Sequence, residues 1–217
     1  MKRRMRLLAI ILRNSRVLLW LPPVIAYVFI PFVTISKFRS HGIADAARCF
    51  IYLIQVLFPL CGLLLPMGYL HVWVEGDGCE ALRSCSSHHK SCFGELLLLY
   101  ALFTLMLVPV FVFSVILFDV SWFEFVRTVL QTGIILNVLY FMIMLSRNVT
   151  IGCIPVIAYI FFCFYISGSA EFASFSIIAP VIPAEQFNWN IMLVVFPISV
   201  FFLISGYLLD RFGKKYS

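Results

Sequence analysis

The run "LLLLYALFTLMLVPVFVFSVILF", residues 96–118, contains no charged side chain. An α-helix needs about 20 consecutive apolar residues to cross the roughly 30 Å hydrocarbon layer of a membrane. The apolar residues of this run do not alternate with polar ones, as they would in a strand of a membrane barrel. Because every backbone polar group must be satisfied within lipid, the run predicts a transmembrane helix.

Five further runs have the same length and character. They lie at residues 17–35, 50–74, 128–146, 149–170 and 187–209, and none contains Lys, Arg, Asp or Glu. Composition agrees, since 63% of the chain is hydrophobic and 12% is charged, against roughly 45–50% and 25% in soluble domains. The chain is therefore predicted to be an all-α integral membrane protein with six transmembrane helices. Prolines within the runs predict kinks, because neighbouring helices can satisfy the freed carbonyl groups.

The distribution of Lys and Arg predicts the orientation of these helices. If the N-terminus is cytoplasmic, the inner side holds twelve of the 16 basic residues. The outer side holds the other four, Lys37, Arg39, Arg48 and Arg127. This positive-inside bias predicts a multi-pass protein of the cell membrane with both termini cytoplasmic. It also explains the net charge of +6 without a nucleic-acid partner, for which no basic stripe interleaved with aromatic residues is present.

Residues outside the runs divide into one amphipathic segment and several connections. Residues 1–16, "MKRRMRLLAIILRNSR", place apolar and basic side chains on different faces of a helix, which predicts an N-terminal amphipathic helix at the membrane interface. Residues 36–49 are predicted to form an outer connection, and 119–127 a tight outer turn. Residues 171–186 are semi-polar and predict an outer re-entrant or interfacial segment. No repeat or second domain is visible, so residues 1–217 are predicted to form a single transmembrane domain.

The largest polar interruption, residues 75–95, is predicted to be a cytoplasmic loop. It contains Cys79, Cys85, Cys92, His88 and His89, all of which can bind metal ions. Structural zinc sites pair their ligands two to four residues apart, whereas these cysteines are separated by five and six residues. A metal site is therefore disfavoured relative to a solvated loop. The seven cysteines, an odd number, predict reduced thiols rather than a disulfide framework.

Catalytic chemistry is also disfavoured by the sequence. There is no GxSxG, HExxH or phosphate-binding GxxxxGK[ST] motif, so neither an enzyme nor a bound cofactor is predicted. The predicted spans contain no acidic or basic residue deep in lipid, as an intramembrane enzyme generally requires. Gln55, Gln131 and Asn137 are among the larger polar residues within them, and they are expected to join helices.

The stretch "EGDGCEALRS", residues 75–84, resembles the E-x-x-G-x-x-E-x-L pattern of ABC type-2 transporter permeases. Glu75, Gly78, Glu80 and Leu82 match it, with one residue instead of two between Gly78 and Glu80, and Arg83 follows. The predicted interfacial helix, the six spans and the semi-polar outer segment are similar to the same family. The resemblance implies that the loop carries a coupling helix that docks on a separate ATPase subunit.

The resemblance further implies a function. The chain would be the membrane subunit of an ATP-binding-cassette exporter, paired with a second permease subunit as a homodimer or heterodimer. Spans without buried charge would suit an amphipathic or hydrophobic cargo, such as a peptide, lipid or drug, moved by alternating access. The alternative is a polytopic membrane protein that does not transport, such as an immunity, assembly or scaffold factor that uses residues 75–95 for docking.

Overall fold

The fold is described from a computed structural model of the chain. The described residues are 16–75, 92–166, 176–178, 184 and 187–212. Within them the secondary structure is helical and contains no strand. The helices are α1 (Arg16–Val24), α2 (Ile30–His41), α3 (Ile43–Val74), α4 (Phe93–Phe118), α5 (Trp122–Ser146), α6 (Val149–Ile166) and α7 (Trp189–Phe212). The predicted interfacial helix at residues 1–16 lies outside the described residues, except for Arg16.

Within the described ranges, five stretches of helix are long and apolar enough to cross a membrane. They are Trp20–His41, Ile43–Val74, Phe93–Phe118, Trp122–Ser146 and Trp189–Arg211. Helix α6 is equally apolar but shorter, with 18 residues. The prediction of an all-helical, multi-pass membrane protein is confirmed at this level.

Proline residues lie within the helices without ending them, and the kinks expected at these residues stay a prediction. Helix α3 continues through Pro59 and Pro66, α4 through Pro109, and α6 and α7 through one proline each. Between α1 and α2 the helix continues as a π-helical segment, Ile25–Phe29, just after two adjacent prolines. A π-helical turn is a local adjustment by which a helix can accommodate a lost backbone donor.

Two predicted connections are much shorter than the sequence suggested. The outer connection predicted at 36–49 is the single residue Gly42, whose φ of 91° lies in the left-handed region that glycine adopts without strain. The turn predicted at 119–127 spans only residues 119–121, because the Ser121 side chain accepts a hydrogen bond from Phe123 N and caps α5 at Trp122. In both predictions, polar residues that lie at the ends of helices were assigned to a loop.

The connections at Gly42, residues 119–121 and residues 147–148 are short, so the helices that they join run antiparallel and the bundle has two ends. We call the end that carries Glu75, Cys92 and Arg147 the loop end. We call the end that carries Gly42 and Ser121 the turn end. Helix α5 lies centrally and contacts α3, α4, α6 and α7.

Apolar side chains fill the bundle on both sides of its middle. One cluster, toward the loop end, joins α3–α7 around Leu70, Leu99, Leu139 and Ile143. A second cluster joins α2, α3 and α4 around residues such as Ile30, Phe50, Ile54, Leu107 and Phe111. Helix α3 packs tightly against α5 at Gly62, where an added Cβ would lie 2.6 Å from Thr132 Cγ2. Small residues at such contacts let membrane helices pack closely.

Candidate functional site

Glu75, the first residue of the predicted coupling pattern, directly follows α3. Its carboxylate turns toward the bundle rather than away from it. One oxygen accepts a hydrogen bond from Val149 N at 2.7 Å, and the other is 2.8 Å from His71 Nδ1. The carboxylate thereby links the end of α3 to the beginning of α6, which lies 74 residues further along the chain.

The start of α6 explains why a carboxylate is held there. The first N–H groups of a helix have no partner within the helix and carry partial positive charge. Asn148 supplies a local cap, since its Oδ1 accepts from Ile151 N at 2.8 Å. Glu75 accepts from the N–H of Val149, the first residue of α6. The α6 N-terminus is therefore capped by one local side chain and by one from α3.

A second carboxylate, that of Asp210, holds the other side of the same loop. Asp210 is 4% exposed, and its Oδ2 accepts from Cys92 N at 3.0 Å and from Tyr140 Oη at 3.4 Å. It therefore links the residue before α4 to α5 and α7. The predicted span 187–209 ended one residue before Asp210, whereas α7 continues to Phe212 and buries this carboxylate.

The predicted coupling residues fall on both sides of the boundary of the described chain. Glu75 is described, and Gly78, Glu80, Leu82 and Arg83 lie outside the described residues. Glu75 and Cys92 flank this undescribed stretch. Glu75 is held by the contact of its own carboxylate with Val149 N, and Cys92 is held by the carboxylate of Asp210. Contact between the loop and an ATPase stays a prediction.

The predicted absence of a metal site can be examined only in part. Cys79, Cys85, His88 and His89 lie outside the described residues. Cys92 is fully buried, and burial together with the nearby Asp210 carboxylate raises the pKa of its thiol well above the usual range. Within the described ranges, no group of three or more His, Cys, Asp or Glu residues is placed to hold a metal ion.

A second polar cluster lies buried near the turn end, between α3 and α5. We call it the buried network, and it consists of Gln55, Glu124, Arg127 and Gln131, each no more than 2% exposed. Gln55 Nε2 donates to Glu124 Oε2 at 3.1 Å, and Gln55 Oε1 accepts from Arg127 Nη2 at 2.9 Å. Arg127 Nη1 and Glu124 Oε2 form an ion pair at 3.5 Å. Gln131 Nε2 donates to Gln55 Oε1 at 3.3 Å.

The expectation that the spans carry no buried charge was therefore wrong. Glu124 and Arg127 were assigned to an outer turn, but they lie in the first two turns of α5 and face the bundle. The sequence did hold a signal, because Glu124, Arg127, Thr128 and Gln131 are spaced i, i+3, i+4 and i+7, which places them on one helical face. The expectation that Gln55 and Gln131 join helices is confirmed by these contacts.

A cavity of about 220 Å³ lies between α4, α5 and α7. Its lining is largely apolar and includes Leu97, Leu130, Ile134, Phe196 and Val200. Asn137 is among the polar residues at its wall, and its Nδ2 lies 3.4 Å from Ser199 Oγ on α7. The cavity can therefore accept an apolar group but presents little that would select a charged one.

The chain matches no protein-family model, and neither a curated protein nor a solved structure shows significant similarity to it.

Proposed function

We propose that this protein is the membrane permease subunit of an ATP-binding-cassette exporter, driven by a separate ATPase that docks on the loop between α3 and α4. In this proposal α1–α2 and each of α3–α7 cross the membrane, giving six spans with both termini in the cytoplasm. The loop end is then the cytoplasmic end. The loop sequence that resembles the permease coupling pattern lies there.

The proposal rests on one observation: carboxylate contacts hold both flanks of the loop to other helices. Glu75 ties the α3 flank to α6, and Asp210 ties the α4 flank to α5 and α7. A displacement of the loop would therefore act on α5, α6 and α7 as well as on α3 and α4. Hydrogen bonds to charged groups are about twice as strong as neutral ones, so these contacts would hold both flanks when the loop moves.

In this proposal Glu75 has a different role from the one the resemblance implied. Its carboxylate is occupied by Val149 N and His71, so its part in coupling is to transmit movement inside the bundle. The residues proposed to touch the ATPase are then Glu80, Leu82 and Arg83. ATP-driven closure of the ATPase subunits would push these residues, and the two carboxylates would pass the movement to the spans.

The proposed cargo is an amphipathic or hydrophobic molecule, and a second permease subunit completes the transport path. The buried charges do not argue against this cargo, because Glu124 and Arg127 pair with each other and Asp210 is hydrogen-bonded. The cavity between α4, α5 and α7 is largely apolar and lies within the proposed membrane region. Apolar pockets with few polar groups take ligands of this class.

The test separates docking from transmission. The protein is co-expressed with an ATP-binding-cassette ATPase encoded beside it, and both binding and cargo-stimulated ATP hydrolysis are measured in lipid nanodiscs. Glu80→Ala with Leu82→Ala should weaken ATPase binding by about tenfold or more, the scale of an interface hot spot. Glu75→Gln and Asp210→Asn should bind the ATPase normally but lose stimulation of hydrolysis. Asp45→Asn, a carboxylate exposed at the turn end, is the matched control and should change neither quantity.

Unaltered ATPase binding by the Glu80/Leu82 double variant would overturn the proposed docking surface. Normal binding of the ATPase by the unaltered protein, with no cargo-dependent hydrolysis under any condition, would instead favour a docking factor that does not transport. Loss of binding in the Glu75 variant would restore Glu75 as a direct contact.

A further inference from the structure

The cavity between α4, α5 and α7 is an elongated space that runs along α5. Its floor is one face of that helix, formed by Leu130, Gly133, Asn137 and Tyr140. From Leu130 to Tyr140 this face is about 15 Å long, at roughly 1.5 Å of rise per residue. The cavity volume of about 220 Å³ is below the roughly 300–1,000 Å³ of sites for drug-sized molecules. The cavity therefore suits one narrow chain that lies parallel to the helices.

The cavity is closed toward the loop end and open toward the side of the bundle. At the loop end, the centroid of the Phe93 ring lies 6.4 Å from that of Tyr140 and 6.3 Å from that of Tyr207, so one aromatic contact joins α4, α5 and α7. By contrast, Leu97 on α4 and Phe196 on α7 line the cavity and are 55% and 48% exposed. Both lie within apolar spans, so a ligand would enter from the lipid rather than from water.

Asn137 is a polar residue of the cavity wall with unused capacity for hydrogen bonds. Its Nδ2 lies 3.4 Å from Ser199 Oγ, and the Ser199 hydroxyl itself donates to the Phe196 carbonyl, which fixes Oγ as the acceptor. The carbonyl oxygen of Asn137 has no hydrogen-bond partner among the described residues. The hydroxyls of Tyr100 and Tyr140, which also line the cavity, each donate to an oxygen of the protein.

The depth of Asn137 in the bundle makes this unused capacity significant. Asn137 lies about 13 Å from the loop end of α5 at Ser146, at roughly 1.5 Å of rise per residue. Water is scarce at such a depth in a membrane, and an amide without hydrogen-bond partners is unfavourable there. A ligand hydroxyl is a fitting partner, because it can donate to the Asn137 carbonyl oxygen and accept from the remaining N–H.

We propose that this cavity binds a single-chain lipid with an uncharged hydroxyl group, which enters sideways from the bilayer. The hydroxyl bonds to Asn137, and the chain lies along α5 between α4 and α7. None of the described residues that line the cavity is charged, so a charged group would find no counter-charge there. The binding site does not depend on an ATPase, whereas the identification of its ligand with the exported cargo rests on the proposed function.

The test measures ligand binding to the full-length protein in phosphatidylcholine nanodiscs without an ATPase, so its outcome is separate from that of the docking experiment. The probe is dodecanol with a photoreactive diazirine on its chain, and the labelled residues are located by mass spectrometry. Labelling near Leu97 and Phe196 should saturate with increasing probe, and dodecanol should compete at a lower concentration than dodecane. Labelling at Ile116, a residue of α4 that is 74% exposed, should rise without saturation.

Asn137→Leu tests the recognition of the hydroxyl, because it keeps the size of the side chain and removes its amide. Competition by dodecanol should then need about 2- to 10-fold more ligand, the scale of one neutral hydrogen bond, whereas competition by dodecane should not change. Thr132→Val is the matched control, since Thr132 lies on the same helix, is 1% exposed and donates to the Thr128 carbonyl outside the cavity. It should leave competition by both compounds unchanged.

Three results would overturn the proposal. Labelling near Leu97 and Phe196 that does not saturate would show that the cavity is an ordinary lipid-contact surface. Equal competition by dodecanol and dodecane, or unchanged competition by dodecanol in Asn137→Leu, would show that the amide does not recognise the hydroxyl. An equal loss in Thr132→Val would attribute the effect to general loosening of α5.

Discussion

Replacing Glu75 with alanine should loosen the junction between α3 and α6 by a predictable amount. The change removes the 2.7 Å hydrogen bond from Val149 N and the negative charge at the α6 N-terminus. Loss of a helix cap costs about 0.5–2 kcal/mol, and loss of a favourable charge near the first turn about 0.3–1 kcal/mol. The contact with His71 adds little, because that side chain is 62% exposed and water competes for it. We expect the free energy of unfolding to fall by about 1–2 kcal/mol.

Asn148→Ala is the comparison that separates the bond between α3 and α6 from a general loss of capping at α6. It removes the local cap on Ile151 N, at the same helix terminus and at a similar cost of about 1 kcal/mol. It leaves the bond between Glu75 and Val149 in place. Both variants should therefore be destabilised similarly, but only Glu75→Ala should release the last turn of α3.

The assay combines two measurements on protein in detergent micelles. Unfolding is followed by the reaction of a fluorogenic thiol reagent with the buried Cys153 and Cys163, which are protected in the folded state. Amide hydrogen exchange then reports local opening, and exchange at Glu75, whose N–H donates to the His71 carbonyl, should rise only in Glu75→Ala. A Glu75→Ala protein with unchanged stability and unchanged exchange at the end of α3 would refute the reasoning, because the bond to Val149 would then carry no free energy.

Four further predictions concern the packing at two glycines, the buried ion pair and the orientation of the chain. Gly62→Ala should lower the free energy of unfolding by about 1–3 kcal/mol, since the new methyl would lie 2.6 Å from a methyl of α5. Gly94→Ala, with nothing within 4 Å, should be neutral or slightly stabilising in the same unfolding measurement. Arg127→Met should cost about 3–5 kcal/mol by leaving Glu124 buried without its counter-charge. Adding Glu124→Gln, which removes the charge but keeps an oxygen to accept from Ala184 N, should recover part of that loss. If both single and double variants unfold alike, the ion pair is not the origin of the cost. Labelling of Cys79 with an impermeant thiol reagent should occur only in opened cells, and labelling in intact cells would contradict the proposed orientation.

The helices could be predicted from the sequence because their cause is local. Each apolar run is long enough by itself to cross lipid, and a backbone within lipid has few alternatives to a helix. The runs at 50–74 and 96–118 accordingly lie within α3 and α4. Polar residues within them, such as Gln55, were correctly expected to join helices, because an unpaired amide in lipid is costly.

The positions of the helix ends and the burial of charge could not be predicted in the same way. The sequence around Glu124, Arg127 and Asp210 is that of a polar helix boundary, and each residue would be stable in water there. What buries them is a partner supplied from far along the chain: Gln55 is 72 residues from Arg127, and Cys92 is 118 residues from Asp210. A charge can leave water only where such partners converge. That convergence is a property of helix packing, so only the tertiary structure decided which charges lie inside the bundle and that Glu75 turns inward to hold α6.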